Sequence, residues 1–194
     1  MKLPDSLGAA LALARGRIPA AEARMLLGAL TGASTAQIAA YPERELAPEL
    51  ALRFVDMLVR REQGEPVAYL LGQREFYGRC FRVSPAVLIP RPETELIVDR
   101  VLARGPRDAA IRILDLGTGS GALAVSLALE LPAAQVTAVD LSPAALAVAQ
   151  GEDMADPLRP QAMAAAQAPL HAGADGVPEA KLSSGQTSGL KSAP

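Results

Sequence analysis

The sequence contains few of the residues on which several common protein chemistries depend. Its 194 residues include one cysteine and one histidine, and they include no tryptophan and no asparagine. A single cysteine excludes a disulfide framework and a cysteine-rich metal centre, and a single histidine excludes two-histidine zinc motifs. We therefore expect no metal site, and we expect Cys80 to be a buried, inert thiol.

Long apolar runs and a strongly basic charge are missing as well. No run approaches the roughly 18 residues of a membrane span, and the start of the chain indicates a first helix rather than a signal peptide. The formal net charge is −2, so no general basic surface is available for nucleic acid. We expect a cytoplasmic monomer that makes no direct contact with nucleic acid or a membrane.

The first 92 residues divide into a helical segment and a linker. In the segment 1–65, apolar residues recur at helical spacing, a proline suits the start of the last helix, and a glycine stops it. This pattern predicts a small helical bundle whose function is recognition rather than chemistry. The linker, 66–92, predicts short strands with turns at Gly72 and Gly78. The three tyrosines and three phenylalanines of the chain all lie at or before Phe81.

The remaining residues change from alternating structure to a segment of low complexity. Residues 93–150 predict a helix over 94–103, a buried strand over 111–116, and then a helix, a strand and a helix. A β-α-β-α order of this kind implies a parallel sheet with a right-handed crossover. Because a two-stranded sheet leaves exposed edges, we expect this unit to be poorly packed. The segment 151–194 is rich in proline, alanine, glycine and serine and is predicted to be disordered.

A glycine-rich stretch connects the first parallel strand to the helix that follows. It consists of Asp115, Leu116, Gly117, Thr118, Gly119, Ser120 and Gly121. Glycines at such a position allow a tight turn and a close approach of the backbone to a ligand. The pattern is ambiguous, because with Ala122 it also satisfies the dinucleotide fingerprint G-x-G-x-x-A.

The charges around this stretch favour one ligand over another. A dinucleotide places a pyrophosphate at the turn, where the carboxylate of Asp115 would oppose it. S-adenosylmethionine instead carries an ammonium and a sulfonium group, which suit an acid. Asp140 ends the next predicted strand, and its carboxylate can accept the ribose hydroxyls of either ligand. S-adenosylmethionine is the preferred interpretation, with a dinucleotide and a purely structural turn as alternatives.

Three blocks of sequence together resemble one known family. They are G-Q-R-E-F-Y-G at 72–78, L-I-P-R-P-E-T-E at 88–95 and I-L-D-L-G-T-G-S-G at 113–121. In order and spacing they are similar to the HemK/PrmC family, the release factor glutamine N5-methyltransferases, over roughly residues 1–150. The resemblance implies an α/β fold: a small N-terminal α-helical bundle, then a Rossmann-like class I S-adenosylmethionine-dependent methyltransferase domain, incomplete here.

The resemblance also implies an activity and a site. Members of the family methylate the glutamine of the G-G-Q motif in class 1 peptide chain release factors, and their helical domain helps to hold the release factor. Carried over, the cofactor-binding residues are Asp115, Gly117, Thr118, Gly119, Ser120, Gly121 and Asp140. Arg91, Glu93 and Thr94 would line the mouth of the pocket. Their alternative interpretation is a surface Arg–Glu pair beside a helix cap formed by Thr94.

One departure from the family pattern concerns catalysis. The family carries an N-P-P-Y motif whose asparagine and neighbouring proline carbonyl hold the glutamine amide, and this sequence has no asparagine. No catalytic residue is therefore assigned, and we expect impaired methyl transfer. The resemblance ends after Gln150, as a truncated or frameshifted domain would produce. The alternatives are a non-catalytic protein that binds a release factor, and another enzyme that binds S-adenosylmethionine or a dinucleotide.

Overall fold

The structure is a computed structural model that describes residues 2–108 and 110–151 together with the backbone of Glu179–Leu182. The chain divides into two compact units, Met1–Leu71 and Gly72–Pro194. The first unit is helical over its described length. Its helices are α1 (Leu7–Ala14), α2 (Ala20–Thr31), α3 (Thr35–Ala40), α4 (Pro48–Glu62) and α5 (Val67–Leu71). The linker predicted to begin at residue 66 therefore starts with a helix, which belongs to the first unit.

Local sequence sets the ends of these helices. Ser34 and Gln37 form a reciprocal capping box, in which each side chain accepts the backbone N–H of the other residue at 3.2 and 2.9 Å. Gly32 ends α2 in the left-handed conformation, with φ of 70°, which a glycine adopts without steric cost. Pro48 occupies the first turn of α4, as predicted, because that turn needs no N–H from it.

The apolar stripe of α4 forms the centre of the first unit's core. Phe54 and Leu58 are fully buried, and Met57 is nearly so. They pack with buried residues of α1 and α2, among them Leu7 and Leu26. The helical spacing of these side chains in the sequence therefore predicted the buried face correctly.

The second unit begins with a hairpin and continues with alternating helices and strands. The hairpin consists of β1 (Gln73–Phe76) and β2 (Arg79–Arg82), and a 3-10 turn at Pro92–Thr94 leads into α6 (Glu95–Leu102). The remaining elements are β3 (Arg112–Leu116), α7 (Ala122–Glu130), β4 (Gln135–Val139), α8 (Pro143–Gln150) and β5 (Glu179–Leu182). The β-α-β-α order expected from the sequence is confirmed.

A two-residue turn joins the strands of the hairpin. Tyr77 and Gly78 both have positive φ, 51° and 68°, which is the backbone of a type I′ turn. The register this turn sets brings Phe76 and Phe81 together edge to face, with ring centroids 6.0 Å apart. Cys80 precedes Phe81 in β2 and lies on the opposite, exposed face of the hairpin. The expectation of a buried thiol is therefore wrong. Successive side chains of a strand point to opposite faces, and the aromatic neighbour takes the buried one.

The main sheet has the order β3-β4-β5. β3 and β4 are parallel, with Arg112 opposite Gln135 and Leu116 opposite Val139. β5 pairs antiparallel with β4 on the other side, and the sequence did not predict this strand. Residues 152–178 and 183–194, the rest of the segment predicted to be disordered, lie outside the described residues.

One face of β3 is covered and the other is exposed. Ile113 packs against the core that Val136 and Ala138 of β4 form with α6 and α7. Leu114 and Leu116 point the opposite way and are 59% and 72% exposed. The strand is present as predicted, but the prediction that it is buried is wrong for the face that carries Leu114 and Leu116. Among the described residues, the helices of the β-α-β-α unit cover only the side on which Ile113 lies.

Candidate functional site

The glycine loop follows β3 directly and is bonded to the end of β4. The N–H groups of Gly117 and Thr118 both donate to the carbonyl of Val139, at 2.8 and 3.0 Å, and the N–H of Gly121 donates to the carbonyl of Thr118. Gly117, Gly119 and Gly121 have φ of 74°, 56° and 79°, values that side-chain-bearing residues rarely adopt. The glycines are therefore required by the path of the loop itself.

Gly121 is also required by a close approach between two helices. A Cβ atom at Gly121 would lie 3.3 Å from the Cβ of Ala149 in α8 and 3.6 Å from Val125. Nothing lies within 4 Å of a Cβ at Gly117 or Gly119. The open side of the loop is therefore at these first two glycines, where a ligand can approach the backbone.

Asp115 belongs to β3, and its carboxylate lies beneath the loop, next to the first turn of α7. Its carboxylate accepts the hydroxyl of Thr118 at 2.8 Å and a backbone hydrogen bond from Ala124 in the first turn of the helix. Burial raises the pKa of Asp115, although these hydrogen bonds act in the opposite direction, and the charge of Asp140 raises it further. The ionised form is thus held in a partly desolvated position that a nearby cation would stabilise.

Asp140 follows β4 and reaches the same loop from the neighbouring strand. One of its oxygens accepts the N–H of Gly119, and the other accepts the N–H of Ser142, each at 2.9 Å. The Ser142 hydroxyl in turn caps α8 by accepting the N–H of Ala145 at 3.2 Å. The structure therefore brings Asp115, the glycine loop and Asp140 together at the carboxyl ends of two parallel strands, where ligands bind in open α/β sheets.

Four backbone N–H groups of the loop are already bonded within the protein, which reduces what the loop offers to an anion. Phosphate sites at such turns use unpaired backbone N–H groups and the positive end of the helix. Here the N–H groups of Gly117, Thr118, Gly119 and Gly121 all donate within the protein, and Asp115 already occupies the start of α7. Two carboxylates at this position, together with four loop amides that already donate within the protein, favour a cationic ligand with hydroxyl groups over a pyrophosphate.

The residues predicted to line the mouth of the pocket lie on one turn before α6. Arg91 and Glu93 are exposed and Thr94 is partly buried. No ion pair joins Arg91 to Glu93 within the described part of the chain, and Thr94 makes no side-chain cap, so that alternative interpretation is not supported. No hydrogen bond between described residues links the three to the loop, and their role remains a prediction.

Sequence reasoning missed several groups that shape the site. The carbonyl of Val139 and the N–H of Ala124 are backbone groups, and no sequence pattern distinguishes them. Ser142 is a further one: its hydroxyl caps α8, and its N–H also holds Asp140. Its position two residues after an acid at a strand end was the available signal, because such short turns return backbone N–H groups to the preceding side chain.

Neither a cluster of metal ligands nor a long apolar helix occurs among the described residues. No group of three or more histidine, cysteine, aspartate or glutamate side chains there is arranged to hold a metal ion. No helix in that part of the chain combines the length and the apolar character needed to cross a bilayer.

Two family models match the chain in the order of its two units. Residues 7–72 match the PrmC N-terminal domain, and residues 113–177 match a methyltransferase domain. The second match extends beyond Gln150, where the sequence resemblance was expected to end. The matches confirm the fold class: a helical N-terminal region followed by an α/β methyltransferase domain.

Curated relatives agree with these models. The chain is 51% identical over 139 residues to a release factor glutamine methyltransferase of Bordetella pertussis, covering 72% of this chain and 52% of that protein. It is 49% identical over 132 residues to that of Koribacter versatilis and 46% identical over 132 residues to that of Escherichia coli, each covering 68% of this chain and 47% of the relative. The chain spans about half the length of the curated relatives it matches.

Proposed function

We propose that the glycine loop binds S-adenosylmethionine, because the chain belongs to the HemK/PrmC family of release factor glutamine methyltransferases. The bound cofactor would serve to methylate the G-G-Q glutamine in class 1 peptide chain release factors. The observation that carries the proposal is the convergence of Asp115 and Asp140 on a loop in which four amides already donate within the protein. That geometry suits a ligand with positive charge and vicinal hydroxyls.

Each acid has a separate task in this proposal. Asp115 lies beneath the loop in a partly desolvated position, where its charge favours the cationic methionine part of the ligand. Asp140 uses one lone pair of each oxygen for Gly119 and Ser142, so a second lone pair on each oxygen can accept a ribose hydroxyl. The open loop surface at Gly117 and Gly119 lets the ligand contact the backbone.

The cofactor supplies an electrophilic methyl group on a sulfonium sulfur. The amide nitrogen that receives it is a weak nucleophile, because its lone pair is delocalised into the carbonyl. Holding the amide hydrogens with acceptors and aligning the nitrogen with the methyl group is the expected catalytic device. The asparagine that serves this purpose in the family is absent from these 194 residues. We therefore propose that this chain binds the cofactor and the release factor and transfers the methyl group poorly.

The missing asparagine also favours a second candidate, a non-catalytic protein that binds a release factor through its helical unit. Residues 7–72, which match the PrmC N-terminal domain, contain no part of the glycine loop. In either case the partner is a protein of translation termination, and we expect the chain to act as a cytoplasmic monomer without direct contact to nucleic acid.

Ligand-dependent thermal stability tests the cofactor proposal. S-adenosylhomocysteine should stabilise the wild-type chain, and NAD should not. Asp140→Ala should weaken the affinity for S-adenosylhomocysteine, obtained from the ligand dependence of Tm, by about tenfold or more, because it removes a charged acceptor. Asp108→Ala, the same change at an exposed position, should leave the response intact. Stabilisation by NAD alone would refute the proposal.

Transfer of label separates the two candidate functions. Tritiated S-adenosylmethionine is incubated with the chain and a class 1 release factor, and retention of the release factor on immobilised chain is measured in parallel. Slow labelling of the glutamine supports the methyltransferase. Retention of the release factor without any labelling supports the non-catalytic alternative. If the release factor is neither labelled nor retained, the proposal that it is the partner of this chain is contradicted.

A further inference from the structure

The hairpin turn of the second unit contacts the first two turns of α6. The N–H of Tyr77 donates to Oε1 of Glu95 at 2.8 Å, and the hydroxyl of Tyr77 donates to Oδ1 of Asp99 at 2.9 Å. Residues four apart on a helix lie one above the other on the same face. A single residue of the turn therefore holds two successive carboxylates of one helix.

Tyr77 has a backbone that a tyrosine does not adopt without help from its surroundings. Its φ of 51° lies in the left-handed region, which favours glycine. Arg79 holds it from the other side: its guanidinium lies 5.8 Å from the centroid of the Tyr77 ring and donates to the Tyr77 carbonyl at 3.2 Å. Arg79 is in turn paired with Glu130 at the end of α7, at 2.6 Å. The turn is thus fixed between α6 and α7.

The first turn of α6 has little apolar anchoring of its own. Val98 is fully buried, whereas Leu96 and Ile97 are 62% and 49% exposed. Apolar packing consequently fixes the middle of the helix and leaves its beginning to polar contacts. The bond from Tyr77 to Glu95 is a contact of this kind, and Glu95 directly continues the turn that carries Arg91, Glu93 and Thr94.

We propose that Tyr77 and Glu95 are positioning residues that hold the Arg91–Thr94 segment in place for the release factor. The inference rests on the proposed function, because it takes this segment as the mouth of the substrate pocket. Glu95 acts here through its oxygen as an acceptor for a backbone N–H, and it does not touch the substrate. A glutamine offers the same acceptor without the charge, and this proposal requires the acceptor and not the charge.

Affinity measurements on the 194-residue chain test this proposal. Glu95→Ala should weaken binding of a class 1 release factor by roughly tenfold, while the affinity for S-adenosylhomocysteine stays within about twofold. Glu95→Gln should restore release factor binding. Glu75→Ala, at an exposed position of the same hairpin, is the control and should resemble the wild type. Equal losses for both ligands, no loss in Glu95→Ala, or no recovery in Glu95→Gln would each overturn the proposal.

A second measurement keeps the result separate from that of the proposed function. In Glu95→Ala, amide hydrogen exchange should accelerate over residues 93–97 and remain unchanged in β4, which shows that the unit is still folded. Unchanged exchange over 93–97 refutes the positioning role whatever the ligands do. A wild-type chain that binds neither a release factor nor S-adenosylhomocysteine refutes the proposed function instead, and with it the contribution of Glu95 to release factor binding.

Discussion

Substituting alanine for Gly121 tests why the loop contains glycine where it does. Two costs are expected at this position, one from the backbone and one from packing. The φ of 79° is unfavourable for any residue with a Cβ, by about 1–2 kcal/mol. The added atom also lies 3.3 Å from the Cβ of Ala149, and forcing a methyl group into a packed contact costs about 1–3 kcal/mol.

Gly117→Ala separates these two costs. Gly117 has a φ of 74°, and nothing lies within 4 Å of its added Cβ, so only the backbone cost applies. We therefore expect Gly117→Ala to destabilise the second unit by about 1–2 kcal/mol. Gly121→Ala should destabilise it by about 2–5 kcal/mol, the sum of both effects.

Native-state amide hydrogen exchange is the suitable assay, because a whole-chain melt would mix the two units. The N–H groups of Val136 and Ala138, in the central strand of the sheet, report the opening of the second unit. Equal effects of the two substitutions would refute the packing argument. A neutral effect of both would show that the loop does not need left-handed backbone at these glycines.

Three further outcomes follow from the structure. Burial raises the pKa of Asp115, so its contribution to the free energy of unfolding is largest at acid pH and is lost as the pH rises through that raised pKa. A hydrogen bond from Arg79 lowers the pKa of Glu130, so the contribution of Glu130 has the opposite pH dependence. Acidification through the range in which the Asp115 carboxyl takes up its proton should therefore destabilise Asp115→Asn more than the wild type, as measured by amide hydrogen exchange in β4. Lysine at both Leu114 and Leu116 should suppress self-association in light scattering without loss of stability, because both side chains are exposed; increased aggregation would contradict this. Phe54→Ala should cost the helical unit about 3–5 kcal/mol, measured as faster native-state amide hydrogen exchange in α2 and α4, and exchange equal to that of the wild type would show that this side chain is not central to the core.

The elements that the sequence predicted correctly are those specified by nearby residues. The apolar residues of α4 recur every three to four positions. The glycine loop follows a run of strand-forming residues and precedes an alanine-rich helix. Capping residues such as Ser34 and Ser142 lie within a few positions of the groups they bond. The two acids of the candidate site could be predicted for the same reason, since each stands at the end of its own strand.

The features that were missed depend on distant parts of the chain. β5 has no β-branched residue and is a strand through its pairing with β4. The exposure of Leu116 could not be predicted from an apolar run, because a run of this kind does not say how many faces are covered. Cys80 was placed on the wrong face for a related reason: the side taken by Phe81 is decided by packing against α6 and α7.

The hydrogen bonds that four amides of the glycine loop make have a consequence for the thermodynamics of binding. With its amides bonded to Val139, Thr118 and Asp140, the loop already has the conformation that a ligand would meet. Binding then carries little entropy cost for ordering the protein, and that cost falls mainly on the ligand. Calorimetry should accordingly give a heat capacity change that matches the surface buried by the ligand alone, without the additional contribution of a segment that folds on binding.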